Sequence, residues 1–294
     1  MFIDIHTHAT LYRTIPLRGD QYFITPNELL SDMDRAGIDM AVVLPLVSPC
    51  QRNILITTEE VLELCSRQPD RLIPFCNLDA RQGSNTPASD FTPYLQIYKG
   101  LGCKGIGEIT TNLYWDDPFM QNLFGHCETV GMPLIFHIAP QVGGYYGLVD
   151  ELHLPRLEET LRRFPGLIFL GHSQPFWSEI SADVTDETRN GYPKGPVVPG
   201  GRIPELMARY PNLCGDLSAG SGFNAISRDP EFGYRFMDQY QDRLFFGTDL
   251  LQVGQELPQV EYLKSAVQQG HISRAVFDKI AWQNADRLLG LGIG

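Results

Sequence analysis

A repeated alternation constrains this chain most. Eight short apolar, β-branched runs recur along it: Phe2–His6, Asp39–Leu46, Leu72–Leu78, Cys103–Ile109, Pro133–Ile138, Leu167–His172, Leu213–Leu217 and Arg243–Leu250. Their ends fall roughly 30 to 45 residues apart, the length of a strand-plus-helix unit. Ala41-Val42-Val43-Leu44 and Leu167-Ile168-Phe169-Leu170 are apolar at every position, as strands buried on both faces of a parallel sheet must be.

The gaps carry helix punctuation. Thr25-Pro26 opens a segment with Leu29, Leu30, Met33 and Ala36 on one face, and Gly37 closes it. Thr57 and Glu60 have capping-box spacing. Asp117-Pro118 opens Phe119 to Val130, Pro155 opens Arg156 to Phe164, and Pro204 opens Glu205 to Tyr210. Two further helical patterns lie near Leu257–Gln269 and Ser273–Leu289. Eight β-then-α units predict an α/β fold, a (β/α)8 TIM barrel, with residues 1–294 as one domain. The competing layout is a doubly wound open sheet. No GxGxxG follows the first strand, so its dinucleotide version has no support. Pro175 to Arg202 is a long Pro/Gly-rich loop after the sixth strand, expected to be a lid or a subunit contact.

Composition narrows the function. The net charge is −12 with no basic stripe, which disfavours nucleic acid as partner. An anionic small substrate stays compatible, because a metal and a few arginines reverse the field locally. No apolar run approaches the roughly 20 residues that span a bilayer, and no basic leader precedes the first strand. The six cysteines are scattered without a CxxC pair, the pattern of reduced thiols in a cytoplasmic protein.

The carboxyl ends of the runs carry ligand-capable side chains. Strand one ends in His6-Thr7-His8, whose histidines share a face in a strand. Strand four ends in Glu108, strand five in His137, strand six in His172 and strand eight in Asp249. In a parallel barrel all carboxyl ends open on one face, so these six can converge on a divalent ion. Imidazole and carboxylate ligands suit zinc, the default, or manganese, iron or nickel. Unpartnered and buried, each would cost several kcal/mol. His126, His153 and His271 lie away from these positions and are assigned to structure or solvent.

These residues resemble the amidohydrolase superfamily, most closely its family-2 branch of metal-dependent TIM-barrel hydrolases. The resemblance runs from His6 to Asp249 in the expected order. It implies that His6, His8 and Asp249 bind one ion. His137 and His172 would bind a second, or one would bind while the other polarises substrate. Many relatives bridge two metals with a carboxylated lysine on strand four. Here Glu108 stands there, similar to the bridging glutamate of TatD-type hydrolases, and Lys104 lies deeper on the strand. Glu108 is thus a bridge between two ions, a ligand of the second, or an acid/base.

The expected chemistry is hydrolysis of an amide, ester or lactone of a small molecule. Metal-activated water attacks, Asp249 moves the proton and His172 stabilises the oxyanion. The alternative, implied by the same branch, is a lyase: a non-oxidative decarboxylase or hydratase of small aromatic or unsaturated acids. Arg13, Arg18, Lys194 and Arg202 are candidate cations for such a substrate, and Tyr12, Trp115, Tyr145, Tyr146 and Trp177 candidate pocket walls. A homo-oligomer is compatible with the loop. A third reading, a barrel holding metal for structure alone, is disfavoured by five or six ligands at an open face.

Overall fold

The computed structural model describes residues 1–51 and 54–294. The first half of the described chain runs β1 (Ile3–Thr7), α1 (Pro26–Ala36), β2 (Met40–Val43), α2 (Thr58–Ser66), β3 (Leu72–Pro74), α3 (Thr92–Gly100), β4 (Ile106–Ile109), α4 (Pro118–Val130) and β5 (Leu134–Ala139). Next come β6 (Leu148–Val149), α5 (Pro155–Arg163), β7 (Phe169–His172), α6 (Gln174–Ser178), α7 (Arg202–Arg209), β8 (Leu213–Asp216), α8 (Ala219–Ser227) and α9 (Pro230–Gln239). The chain closes with β9 (Leu244–Phe245), α10 (Pro258–Gln268), α11 (Arg274–Asp278), a π-helical turn (Lys279–Gln283) and α12 (Asn284–Leu289).

Each predicted run supplies one strand. β1-β2-β3 form one parallel ladder and β4-β5-β7-β8-β9 a second. Backbone hydrogen bonds join the two at both seams. Cys76 N donates to Gly105 O and Gly107 N to Cys76 O, each 3.0 Å; Ile5 N donates to Phe246 O and His8 N to Leu250 O, each 3.0 Å. The parallel strands thus form a ring, with every carboxyl end on one face. Two-residue β6, which the sequence reading did not anticipate, pairs with the end of β5.

Two cores hold the ring. Ile3, Ile5, Val42, Leu44, Ile73, Phe75, Ile135, Leu170, Cys214 and Phe245 pack together, with Ala285 and Leu289 of α12 against them. A larger cluster fills the space between strands and helices, including Leu29, Met33, Val61, Leu64, Phe124, Leu157 and Leu206. Each such side chain contributes about 1.5–3 kcal/mol by leaving water.

The caps form where the spacing put them. Thr25 and Glu28 make a capping box on α1, and Gly37 ends it in the left-handed conformation at φ 77°. Thr57 accepts from Glu60 N and Asp117 from Phe119 N. α7 starts at Arg202, ahead of the expected Glu205, because Pro204 lacks an N–H and fits a first turn. The pattern over Ser273–Leu289 is broken by the π turn. The Pro175–Arg202 segment is less irregular than expected. Its start is α6, whose Phe176 and Trp177 rings press so closely on the sheet that a Cβ at Gly171 would lie 2.2 Å from Phe176 and one at Gly215 2.7 Å from Trp177. Trp177 is therefore core, not pocket wall. So is Trp115, fully buried against Phe124 and Phe136. None of the helices among the described residues is long and apolar enough to cross a membrane.

α5 has an indirect start. Leu154 at its N-cap offers no side-chain acceptor, and buried Asp150 fills in: its carboxylate accepts from Leu157 N at 2.8 Å and Arg156 N at 3.1 Å. Asp150→Ala strands both amides and should lower stability by about 1–3 kcal/mol in urea unfolding, with Asp150→Asn much milder. Burial pushes the Asp150 carboxyl up to about 7, against those amides. A carboxyl raised on folding favours the native state most below its unfolded pKa. Its contribution should therefore fade between about pH 4 and pH 7, a slope that Asp150→Asn removes.

Candidate metal centre

The ring places the chemistry. Ile135, Leu170 and Cys214 belong to the inner core. Two residues further along each strand, on the same face, stand His137, His172 and Asp216. Glu108 arrives on β4 and the histidine pair on β1. Asp249 follows β9 with φ 56° and is held by its N–H on His6 O at 2.9 Å. Asp4, fully buried, fastens the same tail by accepting from the Thr248 N–H and hydroxyl.

Two carboxylate oxygens, Glu108 Oε2 and Asp249 Oδ1, each lie within 4 Å of both His6 Nε2 and His8 Nε2. The two Nε2 atoms are 3.1 Å apart. Glu108 Oε2 lies 3.9 and 3.6 Å from His6 and His8, and Asp249 Oδ1 3.6 and 3.7 Å. Ligands about 2.1 Å from a tetrahedral ion stand roughly 3.4 Å from one another. The tautomers agree. His6 Nδ1 donates to Asp216 Oδ2 at 2.6 Å and His8 Nδ1 to the Leu44 carbonyl at 2.9 Å, so both Nε2 lone pairs are free. Lone pairs and carboxylate oxygens converging in a buried site repel unless a cation sits among them. The donor set fits a divalent ion.

A second lobe adjoins the first. Glu108 Oε1 lies 2.9 Å from His137 Nδ1 and 3.9 Å from His172 Nε2. One carboxylate therefore addresses two groups of imidazoles with its two oxygens. Glu108, His137 and His172 form a metal-capable group of their own, as do His6, His8 and Glu108.

Asp216, with Ser218 beyond it, is the participant the sequence reading missed. Asp216 is fully buried, accepts from His6, lies 3.5 Å from His172 Nδ1 and receives Ser218 N at 3.0 Å. Ser218 Oγ is 2.8 Å from His172 Nδ1. His6, His172 and Asp216 are also near enough to one another to hold an ion, but the 2.6 Å contact to His6 is the length of a charge-assisted hydrogen bond, so Asp216 orients the ring. A signal existed. Cys214-Gly215-Asp216 repeats the apolar-Gly-polar strand end of Leu170-Gly171-His172 and Ile106-Gly107-Glu108.

The electrostatics follow from burial and crowding. Burial opposes charge on His6, but Asp216, Asp249 and Glu108 outweigh it and push its pKa up to about 10, a pull on positive charge that a divalent ion at Nε2 would answer in place of the proton. Burial and the neighbouring His6 hold His172 down at about 3, a neutral ring. Burial opposes ionisation of Glu108, yet its histidines hold it well below the usual carboxylate range. Burial keeps Asp249 raised against His6 and His8.

A cavity of about 90 Å³ sits over the centre, lined by His8, Glu108, His137, His172 and Asp249, with Phe23, Gln51, Tyr146, Gln174, Tyr192 and Ser221 among its other walls. A larger groove of about 1000 Å³ lies at the opposite end of the strands, by Met40 and Leu72, and holds Lys104. It is far from this chemistry. Gln174 and Tyr192 belong to the segment around α6, which thus reaches the cavity. Tyr146 is on the wall; Tyr12 and Tyr145 are exposed and off it. The proposed cations are elsewhere: Arg13 pairs with Glu28, Arg202 with Glu158 and Glu205, and neither Arg18 nor Lys194 reaches the wall. His126 bonds Thr92, His153 bonds Glu179, and His271 is exposed against Tyr234.

Comparison with known proteins decides the family. A family model described as an amidohydrolase, the family-2 type, matches residues 3–291. The chain belongs to the amidohydrolase family. It is thereby an enzyme of that superfamily, with the TIM-barrel fold. No curated protein matches. Among solved structures it is similar to an uncharacterized TIM-barrel protein, Bb4693, from Bordetella bronchiseptica, at 18% identity and TM-score 0.68 over 98% of each chain. It is also similar to a dihydroxybenzoic acid decarboxylase from Polaromonas sp. JS666 with bound manganese, at 15% identity and TM-score 0.61 over 100% of this chain and 98% of that one. A third is an amidohydrolase from Burkholderia multivorans with bound zinc, at 14% identity and TM-score 0.62 over 99% of each chain. At these identities the likeness is one of fold.

Removing Asp216 tests the orienting contact. Asp216→Ala should weaken metal binding 10- to 100-fold, read by competition with a chromophoric chelator, while secondary structure by circular dichroism stays intact.

Proposed function

We propose that this amidohydrolase-family enzyme, acting as one domain over residues 1–294, is a metal-dependent hydrolase of an amide, ester or lactone bond in a small molecule. The observation that carries it is Glu108 turning one oxygen to His6 and His8 and the other to His137 and His172. Such a carboxylate suits a bridge between two ions, an arrangement built for hydrolytic chemistry. His6, His8, Glu108 and Asp249 would hold one ion, and Glu108, His137 and His172 a second. Zinc is the first choice, with manganese, iron or nickel as alternatives.

When bound, a divalent ion there supplies a water nucleophile at neutral pH and a Lewis acid for a carbonyl oxygen. The chain's residues do the rest. Asp249, burdened by burial and open to the cavity, accepts the water's proton at a carboxylate oxygen and returns it to the leaving group. His172, neutral and fixed by Ser218 at Nδ1, has one nitrogen left for the cavity: with two ions bound it is a ligand beside His137, and with a single ion bound it donates from that nitrogen to the substrate oxygen as charge develops there. The ring around them excludes bulk water.

The lyase reading has one favourable observation. Phe23, Tyr146 and Tyr192 give the cavity aromatic walls suited to a planar acid. An assay separates the two. Chelator-stripped protein restored with zinc or manganese should turn over members of a lactone, ester and amide panel, and Asp249→Asn should lower kcat by about 10²–10⁴. Carbon dioxide released from an aromatic acid, with no turnover on the panel, moves the assignment to the lyase. In a separate measurement, Glu108→Gln should cut the metal content found by elemental analysis from two ions towards one. An unchanged content would make Glu108 a proton-transfer group.

A further inference from the structure

We propose that the amino end of α8, with the Ser221 hydroxyl, forms a subsite beside the metal centre for an anionic oxygen of the substrate, a carboxylate or phenolate. The proposal rests on the reading of this cavity as the catalytic pocket and adds what holds the substrate's charge.

Ser221 is 3% exposed, its hydroxyl has no hydrogen-bond partner, and it forms part of the cavity wall together with His172, Gln174 and Asp249. A buried hydroxyl without a partner is costly, so one on a pocket wall marks a place for a ligand atom. It stands in the first turn of a nine-residue helix whose N-cap side chain makes no cap, the first amide, Ala219 N, alone being taken up outside the helix by Thr248 O. Ser218, at the cap position, makes no side-chain cap because its oxygen is committed to His172. The first amides of such a helix have no intrahelical acceptor and carry a partial positive charge. Hydroxyl and helix end together favour an anion.

The helix end is fixed to the catalytic machinery. Ala219 N donates to Thr248 O at 3.2 Å, one residue before Asp249. Gln259 Nε2 donates to Ala219 O at 2.8 Å from the far side. The charge balance points the same way. Among the described residues the cavity wall has the carboxylates Glu108 and Asp249 and no lysine or arginine. Bound ions answer those carboxylates, and a further substrate charge needs a separate donor.

Benzoate and its neutral isostere benzamide are the probes, titrated by calorimetry into zinc-loaded and chelator-stripped protein. Zinc-loaded wild type should prefer benzoate; stripping the ion leaves Glu108 and Asp249 unanswered and should weaken benzoate in wild type and variants alike. Ser221→Ala should lose about tenfold in benzoate affinity, with benzamide affinity and zinc content unchanged. Ser221→Asp should abolish benzoate binding by like-charge repulsion. The subsite is overturned if Ser221→Ala with full zinc binds benzoate as wild type does, if Ser221→Ala loses benzamide as much as benzoate, or if zinc-loaded wild type binds no benzoate. Binding is read without turnover, so failure of the hydrolase assay leaves this result standing.

Discussion

Two imidazole nitrogens with their lone pairs facing each other at 3.1 Å are the contact on which the site depends. An apolar barrel interior makes that arrangement favourable only with positive charge, a proton or a metal ion, at the point the nitrogens face. Two carboxylates lie within 4 Å of both nitrogens; His6, His8 and Glu108 are buried, and Asp249 stays partly open to the cavity. Attraction to a shared cation is the physical term that reconciles them. The fold invests its most buried polar residues in keeping that point intact.

The investment is visible one layer out. The Leu44 carbonyl fixes the His8 ring, Asp216 fixes His6, and Ser218 fixes His172. Asp4 ties the tail of β9 to β1 through Thr248, so that Asp249 meets the histidine pair although some 240 residues separate them in the chain. These groups come from β1, β2, β8 and β9, including the strands that meet at one seam of the ring. Closing the ring and assembling the centre are therefore the same event.

Much of this was legible beforehand. Period, apolar runs and caps located the strands and most helices, because those signals are local. α8 was not legible: Ala219-Gly220-Ser221-Gly222 has poor helix propensity, and close packing makes it a helix, a Cβ at Gly222 falling 2.3 Å from the Leu217 backbone. α9 does carry a local signal, Asp229-Pro230, the same opening as Asp117-Pro118, and Asp229 caps it by accepting from Phe232 N. Trp115 and Trp177 looked like pocket residues because a loop sequence says nothing about which way an indole turns. The arginines misled for the same reason: Arg13 and Arg202 found carboxylates of neighbouring helices instead of the mouth.

The sequence by itself determined where the strands fall along the chain, the residue types at each strand end and hence, once the ends share a face, four histidines and two acids on it. Those depend on alternation along one strand, which short-range geometry enforces. Only the tertiary structure decided which nitrogen of each ring is free, that Asp216 stands behind His6, and that Glu108 divides its oxygens between two groups of imidazoles. Those are distances between atoms on different strands. They are set by the tilt and register of the whole ring, which no local pattern encodes.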